Sequence, residues 1–452
     1  MFGSRTALAE QRLLGWILLI SCVVLLYLYG AMQSALHVNT DLTRSDQSAY
    51  MNYARRLYEE QLDYPGDRNR MPAYPLIQSL FYDPSLSQEA FFAQGKHINI
   101  LLSLVILGIL YALFYVYFGH LHAIVITLVT AFTVFVFKAA YFQAEILFYF
   151  LAFCSFLLLT RLLIKPTLGA AALAGVVLGL THLTKASILP AIVLFGVCFL
   201  LYHGPRMISS LRRDQSVRKV ARPLLSGLLV VALFLGTIWP YIQNSKRIFG
   251  HYFYNVNSTF YMWYNSWDEV KEGTRAYGDR RGWPDMPPEE IPSARRYFQE
   301  HTTEQIIHRV TDGAYHVTRN AIRSFGYHRY ALVYGLAALA AALSQWRKSL
   351  RFLRARWPLV LFWAGYLASY FIVYAWYFPI YRGGDRFILA QFLPYMFITS
   401  FILYSAWQNV SLRIGSWRIA PLTMLNMVIG AALIPDVYVI LTQRILALYG
   451  GS

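Results

Sequence analysis

Nine ionisable side chains stand at the edges of long apolar runs: Lys138, Glu145, Lys185, Arg329, Arg382, Asp385, Arg386, Asp436 and Arg444. Two further carboxylates, Asp41 and Asp46, follow the first of those runs. A carboxylate held near a membrane surface can take a proton from an attacking hydroxyl, and several cations beside it suit a phosphate. For Asp46 a second role is open, that of a helix N-cap whose carboxylate accepts backbone N–H bonds. An ionised group at the centre of a bilayer costs about 2.5 to 3.5 kcal/mol on insertion scales, so groups kept at the ends of apolar runs either snorkel to the interface or face protein and water. Glu145 opens a long apolar run, and Lys185 separates two such runs with almost no loop between them. Those placements favour a cavity lined by cations and a few carboxylates.

The elements that would hold these groups are helices in a bilayer. The chain has 452 residues, of which 57% are hydrophobic and 14% charged, against about 25% charged in soluble domains. A helical span needs about 20 apolar residues, and eleven segments approach that length: 13–32, 98–118, 121–138, 144–163, 167–184, 186–203, 223–241, 329–345, 357–378, 386–407 and 419–441. The expected fold is therefore an all-α polytopic membrane protein. Its parts are a first anchor (1–32), a first outer loop (33–97), spans two to seven (98–241), a second outer loop (242–328) and the last spans (329–452). The apolar run of the first span is longer than a signal-peptide core, which favours a retained anchor.

With the N-terminus in the cytoplasm, the short connectors on that side hold 17 of the 40 Lys and Arg residues, from Arg5 and Arg12 through Arg206 and Arg356 to Arg418, against only Glu10 and Asp214, and so supply 15 of the net +17. The net charge of +17 is then a topology signal, and the scatter of these cations among short connectors argues against nucleic acid as a partner. Both long loops fall on the outer face. In the first, residues 44–62 place Tyr50, Tyr53, Ala54 and Leu57 at helical spacing with Arg55, Arg56, Glu59 and Glu60 opposite, the pattern of an interfacial helix. In the second, Thr302 and Gln305 form a capping box ahead of an apolar stripe of Ile306, Val310, Ala314 and Val317. Gly282–Pro292 reads as an irregular connection.

Other motifs carry less. Cys22, Cys154 and Cys198 lie in apolar runs, where a disulfide framework has no place. His120 and His122 fall in a predicted turn as solvated side chains, with no metal-ligand set around them. Asn257-Ser258-Thr259 fits a glycosylation acceptor, and no phosphate-binding or dinucleotide glycine pattern occurs.

Taken in order, these pieces resemble the GT-C superfamily of integral membrane glycosyltransferases, which includes protein O-mannosyltransferases and the aminoarabinose transferase of lipid A. After the first span, Asp46-Gln47-Ser48-Ala49-Tyr50 and Ala54-Arg55-Arg56 resemble the family's Asp-Glu, tyrosine and Ala/Arg run. Arg70-Met71-Pro72-Ala73-Tyr74-Pro75-Leu76 is similar to its Arg-Pro-Pro-x-x-Pro-Leu stretch, Glu145 to its second acidic position, and Gly179-Leu180-Thr181-His182-Leu183-Thr184-Lys185 to its Gly-Leu-Ala-x-Leu-Thr-Lys pattern. Asp385-Arg386-Phe387, leading to Pro394, resembles the start of a late family span. The chain departs from the pattern at Gln47, which replaces the second carboxylate, and at Gln243, which stands where relatives have arginine.

The resemblance implies a sugar donor on a polyprenyl phosphate, a reaction on the extracytoplasmic face of the plasma membrane, and an acceptor hydroxyl on a glycolipid, glycan or protein. The hydroxyl attacks the anomeric carbon in line and the lipid phosphate leaves as a stable anion. One base and several cations suffice for this, so no cofactor is obligatory, and with Gln47 in place nothing supports a divalent metal. The base is expected at Asp46, with Asp41 as fallback, and Glu145 would orient the acceptor or hold a cation. Lys185, Arg386 and Arg70 lead the phosphate candidates, followed by Arg382 and Lys138. Tyr50, Tyr74, Trp263 and Tyr264 are the aromatics expected to stack on sugars. Two rivals stand beside this reading. A lipid-linked-sugar transporter would also have many spans and a cationic cavity, and a glycan polymerase or O-antigen ligase with a lipid-diphosphate donor would draw on Arg295, Arg296, His308, Arg309, Arg319 and Arg323.

Overall fold

The computed structural model describes residues 3–445 except 62, 64, 65, 213–217, 326–328, 382–384 and 415–416. Among the described residues, nine helical segments are long and apolar enough to cross a membrane, from Leu14–Val38 to Pro421–Ile445. Of the eleven expected spans, two form as shorter apolar helices, Leu168–Thr184 and Arg329–Ser344. At 1.5 Å rise per residue, these 17 and 16 residues fall short of the roughly 30 Å of a hydrocarbon core. Among the described residues the regular structure is helical apart from one small antiparallel hairpin, Leu412–Ile414 with Trp417–Ile419.

The chain divides into two compact units. The first comprises Met1–Ser48, Asp83–Ile146 and Ser411–Ser452. Its helix Gln88–Phe118 starts some ten residues before the expected span and turns at Gly119 into His120–Thr130. Gly119 has φ of 73°, a conformation that costs a residue without a Cβ little. The first helix, Gly3–Gln33, packs on Gln88–Phe118, and Tyr27 shares a 2.6 Å hydrogen bond with Ser103. His122 corrects an expectation. It is buried rather than solvated, and its Nδ1 lies 2.8 Å from Oδ1 of Asn426 on the helix Pro421–Val439. A polar side chain that cannot reach water here finds a partner on a neighbouring helix.

The second unit comprises Ala49–Tyr82 and Leu147–Val410. Leu168–Thr184 lies along Arg218–Phe249, and Trp357–Tyr377 packs on both Leu189–Arg212 and Thr303–Ser324. Small residues permit these approaches, as expected where lipid removes the hydrophobic drive and packing must hold helices together. The predicted interfacial helix forms as Gln47–Glu59, with Tyr50, Tyr53, Ala54 and Leu57 buried and the pairs Arg55–Glu59 and Arg56–Glu60 exposed. Thr303–Ser324 likewise starts at the Thr302–Gln305 capping box. Its buried seam is Arg309, Gly313 and Val317, one residue out of step with much of the expected stripe.

Gly313 explains that shift, because a Cβ there would lie 1.9 Å from the carbonyl oxygen of Ala375. Backbone meets backbone, so neither side can yield by rotating a side chain. Gly313→Ala is expected to cost about 3 kcal/mol, the upper part of the range for overpacking. A lowered midpoint in denaturing-detergent titration would register it, and an unchanged midpoint would contradict the close approach.

Candidate functional site

Asp46 sits where the short turn Arg44–Asp46 enters the helix Gln47–Glu59. Ser45 and Asp46 have φ of 60° and 69°, two successive left-handed residues, neither of them glycine. Such conformations cost of order 1 to 3 kcal/mol each and persist only when the surroundings over-determine them. Here a buried amide network in the first unit does so. Gln47, with no exposed surface, donates from Nε2 to Asn39 Oδ1 at 2.8 Å and to the carbonyl of Asp41 at 3.1 Å. Its Oε1 accepts from Asn39 Nδ2 at 2.7 Å and from the Phe142 amide at 2.9 Å.

Asn39 also donates to the carbonyl of Ala140, and Asn99 to that of Tyr141. Lys96 donates to the carbonyls of Ala35 and Asn39 at 2.6 and 2.9 Å. Gln143 donates to the carbonyl of Ser45. The turn carrying Asp46 is thus fastened to the segment that runs from Lys138 to Glu145. Asp46 is half-buried, and Glu145 is buried at the start of the helix Glu145–Ile164. Asp41 is exposed, and its carboxylate accepts from the Thr43 hydroxyl and amide, which hold its pKa below the ordinary value. Lys138 is half-buried at the end of Val136–Lys138.

In the second unit, Lys185 and Arg386 come to one aromatic ring. Lys185 follows the last turn of Leu168–Thr184, with its ammonium 5.1 Å from the centre of Phe387 and 5.6 Å from that of Phe148. The Arg386 guanidinium lies 4.7 Å from the same Phe387 ring. The two charges are therefore no further apart than those two ring distances combined. Tyr149 donates to the Arg386 carbonyl at 2.6 Å, fastening the start of the late helix to the first turns of Glu145–Ile164. A Lys or Arg held near an aromatic ring keeps its positive charge in a partly desolvated place, where an anion is attracted more strongly than in water.

Phe387 also forms part of the wall of a shallow open recess lined by Tyr374, Tyr377, Tyr381, Ile388, Phe378, Val317 and Asn320. Asn257 stands against this wall, its Oδ1 accepting from Tyr377 at 3.1 Å and from Tyr381 at 3.4 Å. The residue that reads as a glycosylation acceptor is thus half-buried with its amide oxygen engaged.

Arg70 is positioned by its own turn. Asp67 accepts from the amides of Asn69 and Arg70, and the Arg70 guanidinium donates to Asp67 and Asn69 and lies 5.8 Å from the Tyr50 ring. The helix that follows, Ala73–Ser79, packs on Leu168–Thr184, which ends at Lys185. Tyr50 and Tyr74 meet edge to face at 5.5 Å, with Tyr74 fully buried and its hydroxyl accepting from Gln78. They belong to the packing beneath the helix Gln47–Glu59, and burial leaves Tyr74 no face for a sugar. Trp263 packs against Tyr297, Phe298 and Trp376, and Tyr264 accepts from the Thr274 amide. Arg382 lies outside the described residues.

Two residues organise the second loop. Asp279, fully buried, accepts from Arg68 at 2.6 Å, from Tyr261 at 2.9 Å and from Thr274 at 3.1 Å, tying residues of the first loop to the second. Arg309, also buried, donates to the carbonyls of Trp376 and Met262 and to Asn265, with Tyr297 and Trp376 against its guanidinium. Burial lowers its pKa, and the directed acceptors hold the charge in place. Sequence reasoning passed over Asn39, Lys96 and Asn99. The signal was there in polar residues beside apolar runs, since a Lys at such a position needs a protein partner or water. Comparison of the chain with models of known families, with curated proteins and with solved structures finds no match.

Proposed function

We propose that this chain is a membrane glycosyltransferase that moves a sugar from a polyprenyl-phosphate donor to an acceptor hydroxyl with inversion, on the extracytoplasmic face. The observation that carries the reading is the meeting of Lys185 and Arg386 at Phe387, beside an aromatic recess. A departing lipid phosphate gathers negative charge as the glycosidic bond breaks, and positioned cations stabilise that charge most when the site excludes water. Aromatic walls suit the apolar faces of a sugar or the first isoprene units. Asp46 supplies the base. Asp41 is the weaker choice because its carboxylate is already engaged by Thr43.

A lipid-diphosphate ligase or polymerase would lean on cations of the second loop, and two of these are committed elsewhere. Arg309 is enclosed by carbonyls and aromatic rings, and Arg296 pairs with Glu300 at 2.7 Å. The transporter reading is separated by turnover.

In transfer assays with a polyprenyl-monophosphate sugar, Lys185→Gln and Arg386→Gln are each expected to lower kcat/KM by about ten- to hundredfold, since a hydrogen bond to a charged group contributes about 1.5 to 3 kcal/mol. Wild-type protein that binds this donor without turning it over would instead favour transport. Wild-type rates in both variants would remove the phosphate assignment.

A further inference from the structure

We infer that one end of the second unit is a docking surface for anionic phospholipid headgroups, with Arg206 and Arg356 forming a two-armed phosphate clamp on Tyr202. The inference is independent of the sugar-transfer reading. Arg206 stacks its guanidinium 4.0 Å from the centre of the Tyr202 ring and donates to the Tyr202 carbonyl, while Arg356 donates to the Tyr202 hydroxyl at 2.8 Å. Two like charges are thereby held on one side chain, an arrangement that an anion between them would relieve.

Arg356 also ends the short helix Trp346–Ala355, in which no residue is buried. Phe352 anchors that helix against Trp363 and Phe401, and Lys348 against the carbonyl of Ser405. Its remaining faces are sorted by chemistry. Trp346, Leu350 and Leu353 recur at helical spacing with exposures of 55%, 39% and 43%, and Arg347, Arg351 and Arg354 recur on the neighbouring face, also exposed. An apolar stripe flanked by cations is the form of a helix lying in the headgroup layer.

Charge complementarity names the occupant. No Asp or Glu occurs between Glu145 and Asp214 or between Asp312 and Asp385, so the stretches that build this end are free of carboxylates. An acidic protein would satisfy the arginines and leave the apolar stripe in water. A phospholipid satisfies both, its phosphate on the clamp and its chains along the spans.

The test uses the full chain reconstituted with equal amounts of phosphatidylglycerol and phosphatidylcholine, followed by native mass spectrometry of the lipids retained. Each basic residue near an anionic surface contributes about fivefold in binding, so Arg206→Gln with Arg356→Gln should cut retained phosphatidylglycerol by about 25-fold. Arg347→Gln with Arg351→Gln and Arg354→Gln, all on exposed positions, should also lower it, and this set guards against misfolding of the clamp variant. Equal retention of the two lipids by wild-type protein, or undiminished phosphatidylglycerol in the variants, would overturn the inference. Displacement of the lipid by polyglutamate would put an acidic protein in its place and overturn it equally.

Discussion

Asp46→Asn is expected to lower kcat for sugar transfer by about 10² to 10⁴ while leaving donor binding close to that of wild type. That range is what a positioned general base supplies. The substitution suits the site for a backbone reason as well as a chemical one. Asp46 has φ of 69° and follows Ser45 at 60°, and asparagine is among the few side chains that tolerate this left-handed region. The asparagine variant would keep the turn and lose only the ability to take a proton. Alanine would confound the two, since it tolerates that φ poorly and would disturb the entry to Gln47–Glu59. The proof is a split between constants, with kcat collapsed and donor Kd retained. A matching loss of donor binding would make Asp46 a binding group, and unchanged turnover would move the base elsewhere.

Much of the architecture was legible because it is written locally. Apolar runs of bilayer length, the amphipathic spacing of Tyr50, Tyr53, Ala54 and Leu57, and the Thr302–Gln305 box each depend on residues within a few turns of one another. What was not legible depends on distant partners. Lys96 read as part of a loop, yet it is buried in the helix Gln88–Phe118 because the carbonyls of Ala35 and Asn39 receive its ammonium. His122 read as solvated, yet Asn426, some three hundred residues later, meets it.

The candidate site divides in the same way. Motif order singled out Lys185 and Arg386, but nothing local shows that Phe387 would carry both charges. Trp263 and Tyr264 have the composition of a sugar platform, and nothing local shows that Trp263 would pack on Trp376 of the helix Trp357–Tyr377 or that Tyr264 would receive the Thr274 amide. Gln47, a departure from the resembled pattern when read as sequence, has a positive role in the structure. An amide both donates and accepts, and its position uses all of that capacity.

Gln47→Glu should therefore be severely destabilising, although it would restore the acidic pair of the resembled family. A carboxylate can still accept from Asn39 Nδ2 and the Phe142 amide, but it faces Asn39 Oδ1 and the Asp41 carbonyl with no proton to give. Asn39 cannot adapt by turning its amide over, because its Nδ2 also serves the carbonyl of Ala140. The position has no exposed surface, so the charge cannot escape to water. Breaking a buried charged or polar pairing in this way costs about 3 to 5 kcal/mol, a large share of the 5 to 15 kcal/mol typical of a folded protein. The expected readouts are a sharp fall in the denaturing-detergent midpoint and, in whatever protein remains folded, a kcat lowered by release of the strained turn that presents Asp46. Gln47→Met, similar in shape but uncharged, gives up all four hydrogen bonds yet adds no buried charge, so it should rank between wild type and Gln47→Glu in stability. If Gln47→Glu matched wild type in both stability and turnover, the amide network would not be what holds the Asp46 turn in place.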